Sequence, residues 1–133
     1  MDISATRADA AQPLAIKRYQ PFVPATDFDN SLAFYAALGV HAKPLGYGLA
    51  AMSLGPVSFI LQRRPDDGRQ VAEQLCMQLG VEDLEAWWAH LNTLDLRRRF
   101  GASTLRVNAL ADWGLAPVYL WDPAGVTWVI REA

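Results

Sequence analysis

Few side chains in this chain are equipped for chemistry, and their spacing limits what they do. There is one cysteine, Cys76, and there are two histidines, His41 and His90. A thiol nucleophile needs a base within hydrogen-bond reach, and no partner base is indicated for Cys76. The expectation is therefore a small buried hydrophobe. His41 falls in a short strand and His90 in a helix, neither with a second His, Asp or Glu at ligand spacing. Both read as structural or surface histidines, and no catalytic residue is assigned. The aromatic residues are more suggestive. Trp87 and Trp88 share helical spacing with Leu84 and Leu91, which points to core or dimer packing. Trp121 and Trp128 flank the turn Asp122-Pro123-Ala124-Gly125. If Asp122 and Gly125 close that turn, Trp121 shares a packed face with Val126, and Tyr119 with Trp128. Leu120, Thr127, Val129 and Arg131 then occupy the opposite, open face. Trp113 stands in a glycine-containing loop before a strand, where an indole can lie over a cavity mouth. With Tyr47, Phe59, Gln78 and Arg131 it forms the expected ligand-binding set, and Phe100 is a weaker member. Apolar walls with a few polar groups are what a small-molecule pocket requires.

Composition restricts the class of protein. A chain of 133 residues with 52% hydrophobic and 20% charged residues is globular and long enough for one respectable core. A net charge of -2 gives no clustered positive face for nucleic acid. The run Arg97-Arg98-Arg99 reads as a solvated helix end, where cations suit the helix dipole. A single cysteine forms no intrachain disulfide, which suits a reducing compartment. The N-terminal residues lack the basic and apolar pattern of a secretory signal. No apolar run is long enough to span a bilayer. A cytoplasmic protein without membrane or nucleic-acid partners is expected.

The elements that must position these residues follow one pattern twice. Residues 1–13 form a loose lead-in, and a single domain is expected over 14–133, with halves at about 14–63 and 71–133. Ile16 to Pro24 reads as a strand kept at an edge by Pro21 and Pro24. Asp27 caps a helix with apolar residues at Phe28, Leu32, Tyr35 and Leu38, and Gly39 stops it. Strands follow at Val40 to Leu45, Tyr47 to Leu54 and Val57 to Gln62. Arg63 to Gln70 reads as a polar loop. The order then restarts, with a strand at Gln74 to Gly80 and a helix at Glu82 to Leu94, closed by Arg97 to Phe100 and Gly101. Strands at Thr104 to Asn108, Pro117 to Trp121 and Val126 to Arg131 complete it. The expected fold class is α+β: two βαβββ modules forming a curved, cup-shaped mixed sheet with helices outside.

Two stretches add a resemblance. Pro24-Ala25-Thr26-Asp27-Phe28-Asp29, continuing to Phe34-Tyr35 and Leu38-Gly39-Val40, resembles the opening motif of the vicinal-oxygen-chelate superfamily, the glyoxalase/bleomycin-resistance/dioxygenase group. Trp113-Gly114, Asp122-Pro123-Ala124-Gly125 and Trp128 look like that family's ending, and Val81-Glu82-Asp83-Leu84 like the start of its second helix. The match is closest to the bleomycin-resistance branch. The resemblance implies paired modules, a homodimer, a ligand or metal held in the cup, and a drug groove bordered at Trp113. Carried across, the metal-ligand positions fall on Pro21, Cys76 and Val129, with a fourth near Ile60. Three of these carry no donor side chain, and one thiol does not hold a hard divalent ion. A slip of one residue offers Gln20 and Glu132, but it turns each side chain to the other sheet face. The expected function is metal-independent small-molecule binding, of an aromatic or extended ligand, with no cofactor. The alternatives are a metal-dependent lyase, isomerase or dioxygenase of the same superfamily, and a structural dimerisation module.

Overall fold

A computed structural model describes residues 12–106 and 116–133. Two four-stranded mixed sheets carry the fold. The first contains β1 (Phe22–Ala25), β2 (His41–Gly46), β3 (Leu49–Leu54) and β4 (Val57–Arg63), in the order β1-β4-β3-β2. The second contains β5 (Cys76–Val81), β6 (Ser103–Arg106), β7 (Val118–Trp121) and β8 (Thr127–Glu132), in the order β5-β8-β7-β6. In each sheet the first strand pairs in parallel with the fourth, and the remaining pairs are antiparallel. The parallel pair requires a crossover, which α1 (Phe28–Leu38) supplies in the first sheet. In the second sheet α3 (Leu84–Asn92) and α4 (Leu96–Phe100) lie between β5 and β6. A short α2 (Gly68–Ala72) joins the halves. The α+β class and the twofold strand–helix–three-strand order match the sequence expectation.

Local chemistry explains the element ends. Asp27 accepts a hydrogen bond from Asn30 N at 3.1 Å, and Asp83 accepts one from Ala86 N at 3.0 Å, capping α1 and α3. Gly39 ends α1 at φ 104°, a conformation that favours glycine, and donates to Ala36 O at 3.0 Å. The buried face of α1 is Ser31, Phe34, Tyr35 and Leu38, a stripe at helical spacing. It joins Val23, Met52, Phe59 and Leu61 of the first sheet and Val118, Leu120, Trp128 and Ile130 of the second in one contiguous core. Asn30 Nδ2 also donates to Phe100 O at 2.9 Å, binding α1 to α4.

Four expectations need correction. The first strand begins only at Phe22, because Pro21 brings no N–H to the ladder, and Lys17 to Gln20 run without regular structure. The expected polar loop at 63–70 is divided between the end of β4 and the start of α2. The expected helix from Glu82 through its closing run Arg97 to Phe100 is two helices, Leu84–Asn92 and Leu96–Phe100, with Asp95 in the left-handed conformation at φ 52° between them. The last hairpin has a different register: Trp121 opposes Thr127, and Leu120 opposes Trp128. Tyr119 and Trp121 therefore share the open face with Thr127, Val129 and Arg131, while Leu120 turns into the core beside Trp128. The reason is one extra loop residue. Val126 leaves the ladder to donate to the Asp122 side chain at 2.9 Å, and a one-residue change inverts every facing.

Asp122 organises that loop and ties the halves together. Its carboxylate is 2% exposed and accepts from the backbone N–H of Ala124, Gly125 and Val126 at 3.0, 2.9 and 2.9 Å. Its other oxygen accepts from Tyr35 Oη of α1 at 2.6 Å, and Tyr35 Oη in turn accepts from Trp128 Nε1 at 3.0 Å. Burial pushes the Asp122 carboxyl above its ordinary value, against the pull of Tyr35 and the three backbone donors. Burial, and then the neighbouring carboxylate, hold the Tyr35 phenol well above its ordinary value, so it remains a donor.

Tyr35→Phe leaves Trp128 Nε1 without its acceptor and Asp122 short of a donor, and is expected to cost about 1–3 kcal/mol in urea unfolding. Because the folded Asp122 pKa lies above the unfolded value, the native state binds the proton more tightly. The stability this contributes is complete below the ordinary carboxylate value of 3.8 and is lost as pH rises through the raised folded value. The stability gap between wild type and Asp122→Asn should narrow over that rise, and urea melts at stepped pH measure it.

Candidate ligand-binding site

The strand pairing leaves two exposed backbone edges near one another. β1 pairs with β4 only from Ile60 onward, so Val57, Ser58 and Phe59 have no β1 partner. β5 is the edge strand of the second sheet. Between these edges lies a groove of about 490 Å³, roofed by the segment from Lys17 to Pro21. That size falls in the range of about 300–1,000 Å³ typical of small-molecule pockets.

Alternation along the strands sets what faces the groove. Val57 and Phe59 of β4 and Met77 and Leu79 of β5 supply the apolar wall, with Trp128 of β8. Ser58 and Gln78 reach it from the opposite strand faces, because the groove passes around open edges. The roof is fixed at its root: Gln20 Nε2 donates to Ser58 Oγ at 2.7 Å, and Ile60 N donates to Pro21 O at 2.9 Å. Phe59 is only 2% exposed and stands 5.2 Å from the Tyr35 ring and 5.5 Å from the Trp128 ring, between ring centroids. These tilted contacts are worth about 0.5–1.5 kcal/mol each beyond burial. A further apolar void of about 20 Å³ lies inside the groove and shares Val57, Phe59, Leu79 and Trp128 with it.

The expected site residues are only partly brought together. Phe59 and Gln78 both line the groove. Arg131 joins them indirectly, its Nε donating to Gln78 Oε1 at 3.2 Å. Tyr47 is fully exposed at φ 56° in the turn between β2 and β3 and does not line the groove. Trp113 lies outside the described residues. Phe100 is buried against Phe34, with ring centroids 5.9 Å apart. His41 and His90 are exposed, and so is Cys76, which was expected to be buried. On the open face of the second sheet, Tyr119 and Trp121 stack with centroids 5.8 Å apart. Sequence reasoning missed Met77, Leu79, Ser58 and the roof as site residues. Only the two prolines at its ends, Pro21 and Pro56, marked where regular pairing stops.

A divalent ion fits this arrangement poorly. Pro21 lines the groove, Cys76 is exposed, and Ile60 and Val129 are buried aliphatic side chains. Among the described residues no group of three or more His, Cys, Asp or Glu side chains could hold a metal.

No protein-family model and no curated protein matches this chain. Solved structures do. A bleomycin-binding protein complexed with bleomycin superposes with a TM-score of 0.68 at 21% identity, over 89% of this chain and 99% of that one. The bleomycin-binding protein of bleomycin-producing Streptomyces verticillus, complexed with copper(II)-bleomycin, gives 0.69 at 18% identity over 90% and 99%. Lactoylglutathione lyase from Agrobacterium tumefaciens gives 0.65 at 19% identity over 89% and 95%. The chain thus shares the paired-module fold of these bleomycin-binding proteins and of this lyase. Sequence identity at this level carries the fold alone.

Two substitutions separate packing from binding at the groove. Phe59→Ala should cost about 3–5 kcal/mol of stability, as a buried aromatic truncation does. Gln78→Ala, at an exposed position, should stay within about 0.5 kcal/mol of wild type. Equal losses in the two melts would show that the groove wall is built differently.

Proposed function

We propose that this protein binds a small aromatic or extended molecule without a metal, in the manner of the bleomycin-binding proteins whose fold it shares. The observation that carries this reading is the groove of about 490 Å³, with Phe59 and Trp128 in its wall and Gln78 at its rim. Aromatic surfaces give affinity at low entropic cost, and a few polar groups fix orientation. Such a site needs no proton transfer or covalent step, and among the described residues no nucleophile–base pair lines it.

A homodimer belongs to the same proposal. Tyr19, Phe22 and Leu105 are 82%, 52% and 51% exposed, and Tyr19 also lines the groove, so a second chain covering it would border the ligand. Residence in the cytoplasm is also proposed, on the unpaired thiol of Cys76. Among the described residues no helix is long and apolar enough to cross a membrane. The likeness to lactoylglutathione lyase raises metal-dependent catalysis as the rival. The side chains at Pro21, Ile60, Cys76 and Val129 are what weigh against it.

Titration with planar aromatic ligands should alter tryptophan fluorescence through Trp128 and raise the melting temperature. At a hundredfold excess over Kd the gain is about 2.7 kcal/mol. A broad panel that moves neither signal rules the binding function out. Protein purified without chelator should contain no stoichiometric divalent ion by elemental analysis, and finding one would favour the enzyme instead.

A further inference from the structure

We infer that the groove selects aromatic ligands that carry a negative charge, a refinement that rests on the binding function proposed above. The chain as a whole is acidic, with a net charge of -2, yet none of the described groove residues is acidic and two, Lys17 and Arg18, are cationic. Of the described arginines three pair with carboxylates, Arg64 with Asp67, Arg98 with Asp95 and Arg106 with Glu85. Lys17 and Arg18 form no such pair among the described residues, and neither do Lys43, Arg63, Arg69, Arg97, Arg99 and Arg131; what sets Lys17 and Arg18 apart is that they line the groove.

The polar groups at the rim also have one hydrogen-bonding sense. Arg131 Nε occupies Gln78 Oε1, which leaves the Gln78 amide N–H groups to face a ligand as donors. An ammonium, a guanidinium and a carboxamide N–H₂ all match an anion, and among the described residues the site offers no carboxylate to a cation. The two cations line the groove on an exposed segment whose root is bound to β4 through Gln20 and Pro21. Beneath them the wall is apolar and aromatic. A ring bearing a carboxylate or sulfonate satisfies both levels, with the ring against Phe59 and Trp128 and the charge under Lys17 and Arg18. The inner void of about 20 Å³ is too small for a ring, so the ring must occupy the outer groove.

Three probes with one ring system test this by isothermal titration: naphthoate, the neutral naphthamide and the cationic naphthylmethylammonium. Naphthoate should bind about tenfold tighter than naphthamide at low salt, since several exposed charge contacts together reach that factor. The preference should shrink towards unity near 1 M NaCl, where the screening length falls to about 3 Å. In the double variant Lys17→Ala/Arg18→Ala the ratio of naphthoate to naphthamide affinity should fall towards unity. Both residues are exposed, so the variant should fold, and its melting curve checks that. Equal affinity for all three probes, or tightest binding of the cation, overturns the charge selection and leaves the binding function standing. A preference that survives in the double variant overturns the assignment to the roof. Binding of none of the probes at millimolar concentration removes the binding function and this refinement together.

Discussion

The buried Asp122 carboxylate is the constraint around which this molecule is arranged. A charge-bearing group taken out of water is costly unless it is supplied with donors. Here the supply comes from three backbone N–H groups of its own loop and from Tyr35 of a helix 87 residues earlier. The loop conformation, the hairpin register and the position of α1 are therefore one problem with one solution. Gly125, at φ 108°, completes it, because the loop turns there through a conformation that side chains resist. Trp128 is locked into the same network through its indole N–H, and it is also the aromatic wall of the groove. The groove's aromatic wall is thus anchored in the core, while its cations stand on the irregular segment before β1.

That arrangement explains the chemical character of the groove. It opens where β4 outruns its parallel partner and where β5 ends the second sheet. An uncovered strand edge exposes both alternating faces, so apolar and polar side chains meet around a single opening. Phe59 serves two roles for the same reason, packing against Tyr35 and Trp128 while its outer surface lines the cavity. A binding wall that is also core is pre-ordered, which lowers the entropic cost of holding a ligand. The groove presents carbon surface, amide and cations, and Pro21, Ile60, Val129 and Cys76 present a pyrrolidine ring, two aliphatic side chains and an exposed thiol.

Much of the fold was legible in the residues. Asp27 and Gly39 marked the ends of α1, because caps are local and each has its own residue chemistry. Gln78 and Arg131 were expected on one open face, and parallel pairing of β5 with β8 does place them there, in hydrogen-bond contact. The facing of Tyr119, Leu120 and Trp121 was not legible. It turns on whether the hairpin loop has four residues or five, and that depends on a side chain accepting backbone hydrogen bonds, which no periodicity records. Trp128 was read as packing alone, since an aromatic at alternating spacing gives no sign that one edge also meets a cavity.

The chain alone determined the class of elements, their repeated order and the ends of the first helix. These are properties of neighbours in sequence, governed by capping, turn chemistry and side-chain type. Only the tertiary structure decided that Tyr35 and Trp128 meet Asp122, that Phe59 and Gln78 border one groove, and that Lys17 and Arg18 lie above it. Each of those pairings joins residues remote in the chain, and it is packing around a buried carboxylate, a cooperative property of the whole core, that brings them to one place.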